Sequence, residues 1–141
     1  MRPEAARLKR LQRLEQVRAI AKQSAALEAA RAEGTLAQLE ALAERTRRMA
    51  EDYRGRTTPR DGLDLRQLGS FVAGLDAISL TTTNDAAKAQ RIADARQQDL
   101  AQAERRRAAA EDRARSEQRA LAQAATPQVL GGRKPVGTGL E

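Results

Sequence analysis

The sequence predicts an all-α fold, an antiparallel two-helix coiled-coil hairpin, and three observations favour it. Two long segments are rich in helix formers and place apolar side chains at alternating spacings of three and four residues. A segment containing Gly and Pro separates them. Aromatic residues make up only 1% of the 141 residues, so we expect a thin seam of buried side chains and no broad core.

The first helix is predicted over residues 4–54, a stretch with a single Gly and no Pro. Nine of thirteen positions on its predicted seam are apolar. A 3.5-residue repeat held over this many turns is typical of a coiled coil. The predicted seam positions are Leu11, Leu14, Arg18, Ala21, Ala25, Glu28, Ala32, Thr35, Leu39, Leu42, Thr46, Met49 and Tyr53.

The chain is expected to reverse direction in residues 55–63. Gly55 at the end of a helical pattern, followed by Pro59, is a stop signal. Asp64 is then a suitable N-cap for the next helix, and Gln67 three residues later completes a capping box. Because a short connection between long helices makes them antiparallel neighbours, these features predict the hairpin.

The second helix is predicted over residues 64–125, which completes a hairpin domain of residues 1–125. Thirteen of eighteen predicted seam positions are apolar. Weak helix formers at 79–84 leave open a kink or a second N-cap. Residues 126–141 contain four Gly and two Pro and are expected to form a disordered tail. The predicted seam positions are Leu65, Leu68, Val72, Leu75, Ser79, Thr82, Ala86, Ala89, Ala93, Arg96, Leu100, Ala103, Arg107, Ala110, Ala114, Glu117, Leu121 and Ala124.

The two halves of this seam are expected to differ in strength. Large aliphatic side chains dominate near the turn, whereas Ala dominates near the termini. A fully buried Leu contributes roughly 1.5–3 kcal/mol, and the single methyl group of Ala contributes less than half of that. We therefore expect the half near the termini to fray, or to be completed by a partner.

The composition argues against an enzyme. The chain has no Cys and no His, which removes thiolate chemistry, the usual proton shuttle near neutral pH and the commonest metal ligands. Gly131–Lys134 has neither the strand nor the helix that a phosphate loop requires. We therefore expect no catalytic, metal or cofactor site. No signal segment or membrane span is visible, so a cytoplasmic protein is expected.

The net charge of +7 comes from acids and bases interspersed along the chain, as on the solvated faces of long helices. Arg105, Arg106 and Arg107 suggest nucleic-acid binding. However, Glu104 and Glu111 lie close by, no aromatic residues are interleaved, and no recognition motif is present. A nucleic-acid partner is therefore disfavoured and stays an alternative, as does a generic coiled-coil scaffold.

Apolar side chains near the turn exceed what one seam needs. Phe71 and Ile78 lie outside the ladder of the second helix, so they are the better candidates for contact with another protein. On each helix, a set of residues near the turn is spaced by four, three and four positions. These two sets form either the seam itself or a docking face. The apolar candidates are Leu42, Met49 and Tyr53 on the first helix, and Phe71, Leu75 and Ile78 on the second.

Residues 1 to about 125 resemble the FliJ family of flagellar type III export proteins and their injectisome counterparts. The resemblance rests on the opening Leu8–Arg18, the Met49–Tyr53 end of the first helix and the resumption at Asp64–Leu68. The Arg-, Ala- and Gln-rich second helix adds to it. Family members look like the coiled-coil stalk of a rotary ATPase.

The resemblance implies an adaptor between the hexameric export ATPase ring and the export gate that also escorts substrate chaperones. It implies a cytoplasmic location, with peripheral association at the inner membrane through the export complex. Gate contact falls by pattern on the six apolar candidates near the turn. Contact with the ATPase ring falls on charged residues near the two ends: Arg7, Arg10, Arg13, Arg113, Arg115 and Arg119. The weak helix formers at 81–84, the Gly/Pro tail and the scarcity of aromatics depart from the family pattern.

Overall fold

A computed structural model describes residues 2–56 and 58–131 of the chain, with side chains as far as residue 125. Two helices account for nearly all of this part: α1 spans Pro3–Arg56 and α2 spans Gly62–Gly131. They pack against each other in antiparallel directions, which confirms the predicted all-α hairpin. Contacts divide the chain into two units. We call Met1–Ser24 with Ala101–Glu141 the terminal unit, and Ala25–Leu100 the turn unit.

The ends of α1 follow from its sequence. Pro3 takes the first helical position, where its missing N–H costs nothing and its fixed φ suits the helix. Glu4 lies in the first turn, and Arg54 and Arg56 lie in the last, which complements the helix dipole at both ends.

The N-cap of α2 is Asp61, three residues before the predicted Asp64. The Asp64 amide donates to the Asp61 carboxylate at 2.7 Å, and the Leu65 amide donates to the Asp61 carbonyl at 3.0 Å. The Asp64 carboxylate in turn accepts from the Arg60 amide at 2.9 Å. Because the Asp61 side chain caps the first turn, the helix starts at Gly62.

Helix α2 is continuous through 79–84, so the second N-cap considered there does not form, whereas the kink stays a prediction. The hydroxyls of Thr82 and Thr83 donate to the carbonyls of Ile78 and Ser79, each at 2.8 Å, and these bonds satisfy them within the helix. The helix also continues to Gly131, six residues beyond its expected end. The remainder of the predicted disordered tail, 132–141, lies outside the described residues.

In the turn unit, the register of α2 is as predicted except that Leu65 and Arg96 are exposed, and that of α1 is half right. Every second predicted α1 position, from Ala25 to Thr46, lies in the seam. At the positions between them, the residue in the seam is the one that follows the predicted residue in the sequence. Glu28, Thr35, Leu42 and Met49 are exposed instead of buried. The observed positions are Ala25, Ala29, Ala32, Leu36, Leu39, Ala43, Thr46 and Ala50.

Small side chains explain this register. Ala93 is fully buried in a cluster with Leu36, Ala86 and Ala89, and Ala50 is almost fully buried against Val72 and Leu75 in a second cluster. Alanine columns let the two helices approach closely, so the pairing excludes the larger Leu42 and Met49 side chains.

The terminal unit has a thinner core. Its buried apolar side chains, within the described residues, are Ala110 and Ala114. Its larger apolar side chains are at most half-buried, as Leu8, Leu11 and Leu121 are. This unit therefore buries much less apolar area per side chain than the turn unit does.

Candidate docking surfaces

Five large apolar side chains of the turn unit lie beside the seam and are exposed. We call them the apolar stripe. On α2, Phe71 is 45% exposed and Ile78 is 52% exposed. The other three come from α1. The members of the stripe are Leu42, Met49, Tyr53, Phe71 and Ile78.

The helix geometry places the stripe on one side of the hairpin. Leu42 and Met49 each precede a seam residue of α1, and Phe71 and Ile78 each precede a seam residue of α2. Two antiparallel helices are related by a twofold axis perpendicular to the plane that contains both helix axes. Equivalent positions of the two helices therefore lie on the same side of that plane. The Tyr53 and Phe71 rings meet edge to face across the seam, with centroids 4.8 Å apart and planes at 69°.

The opposite side of the seam is polar. Arg54 forms an ion pair with Asp76 there, and the Ser79 hydroxyl donates to the Ala43 carbonyl at 3.4 Å. A shallow recess on this side is lined by five polar or charged residues and two alanines, and Glu40 and Arg47 are among the charged ones. The hairpin therefore presents an apolar side and a polar side near its turn, which gives a partner a defined orientation.

Leu75 does not belong to the exposed stripe. It is 8% exposed and packs with Ala50 and Val72 in the seam. Of the six apolar candidates near the turn, the structure thus brings five to the surface and places Leu75 beneath them as support.

A charged network covers the outer face of α1 close to the turn. Glu44 accepts hydrogen bonds from Arg47 at 2.7 Å and from Arg48 at 3.0 Å, and Arg47 also pairs with Glu51. The hydrogen bond from Arg47, followed by that from Arg48, lowers the pKa of Glu44 to about 2. The same pairing with Glu44 raises the pKa of Arg47 above its ordinary value. Since all four groups are well exposed, the network orients the side chains but adds little to stability.

A recess of about 420 Å³ lies on the polar side near the turn. Its floor includes Leu65, Leu68 and Val72, and the paired Arg54 and Asp76 stand at its rim. Sequence reasoning missed this recess, because Leu65 was assigned to the seam and is exposed instead.

The terminal unit carries the positive charge. Its residues 2–24 and 101–125 hold thirteen Lys and Arg against six Asp and Glu, a net charge of +7. The turn unit holds eleven against twelve, a net charge of −1. This separation of charge is not visible when charges are summed in order along the chain. It appears when they are summed over the two segments that the hairpin brings together in each unit.

The six predicted basic contacts all lie in the terminal unit and have different surroundings. Arg7 lies 3.9 Å from Glu117 on the other helix and shares a recess of about 300 Å³ with Arg113. Arg115 pairs with Glu111 within α2. The other three make no salt bridge within the described part of the chain: Arg10, Arg13 and Arg119.

No helix among the described residues is both long enough and apolar enough to cross a membrane. No group of three or more acidic side chains in the same part of the chain gathers where it could hold a metal ion.

Comparison with known proteins gave no relative. No family model matches the chain, and no curated protein or solved structure matches it significantly.

Proposed function

We propose that this chain is a non-enzymatic coiled-coil adaptor of flagellar or type III protein export. It links the export ATPase ring to the export gate and escorts substrate chaperones. In this proposal the terminal unit contacts the hexameric ring and the turn unit contacts the gate. The protein acts in the cytoplasm and reaches the inner membrane through the export complex.

The division of surface chemistry between the two units supports the proposal best. The terminal unit has a net charge of +7 and the turn unit −1, and the turn unit carries the apolar stripe. Charged contact surfaces steer association and set orientation, whereas large exposed apolar side chains supply affinity when a partner covers them. An adaptor needs two contacts of different kind, and these two surfaces differ in that way.

The ring contact follows from charge. Arg10 and Arg13 lie on the exposed face of α1, and within the described residues they make no salt bridge. Unpaired guanidinium groups form bidentate hydrogen bonds with carboxylates of an acidic partner surface. Arg113 and Arg7 border one recess and add to the same positive region.

The test is co-purification with the purified export ATPase and with the cytoplasmic domain of the gate protein, each in turn. Reversing Arg7, Arg10 and Arg13 to Glu is expected to abolish ATPase binding and to spare gate binding. The matched control reverses three exposed arginines of the turn unit, Arg45, Arg60 and Arg66. Absence of binding to both partners by the unchanged protein would contradict the proposal.

The charge of the terminal unit also favours a second candidate, a helical protein associated with nucleic acid. Thirteen cations within 2–24 and 101–125 would release counterions from a duplex. Binding by phosphate contact would then weaken steeply as salt concentration rises. The salt dependence of duplex binding, measured beside the ATPase assay, distinguishes the two candidates.

A further inference from the structure

The two segments of the terminal unit are both positively charged. Residues 2–24 of α1 carry seven Lys and Arg against two Glu, a net charge of +5. Residues 101–125 of α2 carry six Arg against four acids, a net charge of +2. Packed helices lie roughly 8–10 Å apart, so these like charges are held close together. Their repulsion opposes the packing of the two segments.

Cations lie in the seam of this unit as well as on its outer faces. Arg18 of α1 is half-buried, and so is Glu15 before it, yet neither forms a salt bridge within the described residues. The contact between Arg7 and Glu117 sets the antiparallel register, in which Arg18 faces residue 106. Arg107, which is next to that position, is also half-buried. The seam therefore brings guanidinium groups from both helices toward each other.

Acidic side chains offset little of this repulsion across the seam. Glu111 pairs with Arg115 at 2.5 Å and with Arg107 at 3.4 Å, but all three belong to α2. Among the described residues, a single salt bridge joins the two segments of the terminal unit. It is the pair Arg7 and Glu117, at 3.9 Å and with Arg7 well exposed, so it adds little to stability.

The apolar contacts that oppose the repulsion are small. The apolar side chains that the terminal unit buries, within the described part of the chain, are Ala110 and Ala114. The turn unit instead buries Leu36, Val72 and Leu75 and has a net charge of −1. Because stabilisation grows with the apolar area buried, attraction exceeds repulsion by less in the terminal unit than in the turn unit.

We propose that the terminal unit is an electrostatic clasp, which opens by repulsion between residues 2–24 and 101–125 and closes when anions screen that repulsion. In the open form both segments stay helical, since both are rich in helix formers, but they no longer touch. An acidic partner surface closes the clasp as dissolved salt does, because it places negative charge beside both segments. The clasp requires no partner, so its test is independent of the proposed function.

The size of the effect follows from the two charges. Segments of about 24 residues are about 36 Å long, so charges on two such helices are on average about 18 Å apart. In about 10 mM salt the Debye length is about 30 Å, and repulsion between +5 and +2 shifts the ratio of open to closed forms by roughly tenfold. In about 1 M salt the Debye length is about 3 Å, which removes the repulsion.

The test is double electron–electron resonance, which measures the distance between two spin labels. Circular dichroism would not detect an open form that keeps its helices. The chain has no Cys, so Gln16→Cys with Ala108→Cys places one label on each segment of the terminal unit. Gln38→Cys with Asn84→Cys is the matched pair in the turn unit. All four replaced residues are uncharged and exposed.

We expect the labels at 16 and 108 to show a population at long distance in about 10 mM NaCl, and its ratio to the short-distance population to fall roughly tenfold in about 1 M NaCl. The labels at 38 and 84 should give one short distance at both concentrations. A distance between 16 and 108 that does not depend on salt, or that lengthens as salt is added, overturns the proposal.

Charge variants distinguish screening from the general strengthening of apolar contacts by salt. The terminal variant combines Arg10→Gln, Arg13→Gln and Arg18→Gln, which lowers the net charge of residues 2–24 from +5 to +2. Its closed form should gain in about 10 mM salt, and its salt dependence should fall from roughly tenfold to roughly 2.5-fold.

The matched control removes three charges from the turn unit by Arg45→Gln, Arg60→Gln and Arg66→Gln. It is expected to leave the salt dependence between 16 and 108 unchanged. Equal salt dependence in the two triple variants would contradict the proposal, because repulsion within the terminal unit would then not be its cause.

Discussion

Replacement of Leu36 by Ala tests the register of the seam. Leu36 is 6% exposed and packs with Ala86, Ala89 and Ala93. Three carbon atoms are lost, and at ~0.8 kcal/mol for each buried methylene the transfer term is about 2.4 kcal/mol. The cavity left among small, close-packed neighbours adds to this, so we expect a loss of about 2.5–3.5 kcal/mol in the free energy of unfolding.

Two neighbouring substitutions serve as controls. Leu27 lies in the same helix and unit but is 53% exposed, so Leu27→Ala should change the free energy of unfolding by less than about 0.5 kcal/mol. Thr35 occupies the seam in the register predicted from sequence, yet the structure exposes it. Thr35→Ala should therefore stabilise α1 slightly through helix propensity.

Urea denaturation followed by circular dichroism measures all three variants. Since the substitutions leave the hairpin intact, the dependence of unfolding free energy on urea concentration should not change, and only the midpoint should move. The reasoning fails if Leu36→Ala costs no more than Leu27→Ala. A larger loss of unfolding free energy in Thr35→Ala than in Leu36→Ala would also contradict the observed register, because the seam would then contain Thr35, as the sequence predicted.

Three further predictions concern the apolar stripe, the terminal unit and pH. Ile78→Ala should keep full helix content but weaken gate binding; a large loss of helical circular dichroism would show instead that Ile78 is a core residue. Amide hydrogen exchange should be faster at Ala110 than at Leu68, because the terminal unit buries mainly Ala; equal protection would contradict this. Glu44 should titrate near pH 2 by carboxyl NMR, and Arg47→Gln should raise that midpoint toward 4.5. Since its folded pKa is lowered, its small stabilising effect is present above the ordinary pKa and is lost as pH falls toward 2; an unchanged midpoint in Arg47→Gln would refute this cause.

Helix α2 was predictable because its seam contains the residues that a core normally selects. Leu68, Val72 and Leu75 lead into a regular column of alanines, and the structure buries or half-buries all of these. Large side chains outside that column, such as Phe71, Ile78 and Ile92, are fewer than those within it, so the 3-4 spacing still identifies the seam.

Helix α1 was harder to predict because two columns compete. Leu42 and Met49 make one column look apolar, whereas the other contains Ala43 and Ala50. Sequence patterns weight large side chains, but an interface between closely spaced helices selects small ones. The preference for Ala in α1 depends on the residues of α2 that face it. The spacing of residues within α1 alone does not show which residues those are.

The exposed apolar stripe was partly predictable. Phe71 and Ile78 fell outside the α2 ladder, and the structure exposes both. Leu75 shared their 4-3-4 spacing, yet it turned out to lie in the seam. The separation of charge between the units depends on which segments fold together, so it becomes visible only once the hairpin is known.

The central claim is that one chain folds back on itself and pairs its own α1 with its own α2. The chain has no native Cys, so Ala43→Cys with Ser79→Cys gives a clean pair of thiols for a short cross-linker. An equal mixture of light- and heavy-isotope protein, cross-linked when dilute, is then analysed by mass spectrometry. We predict that every cross-linked 43–79 pair carries one isotope label. Pairs that join a light residue to a heavy one would show that the seam forms between chains, which would contradict the hairpin.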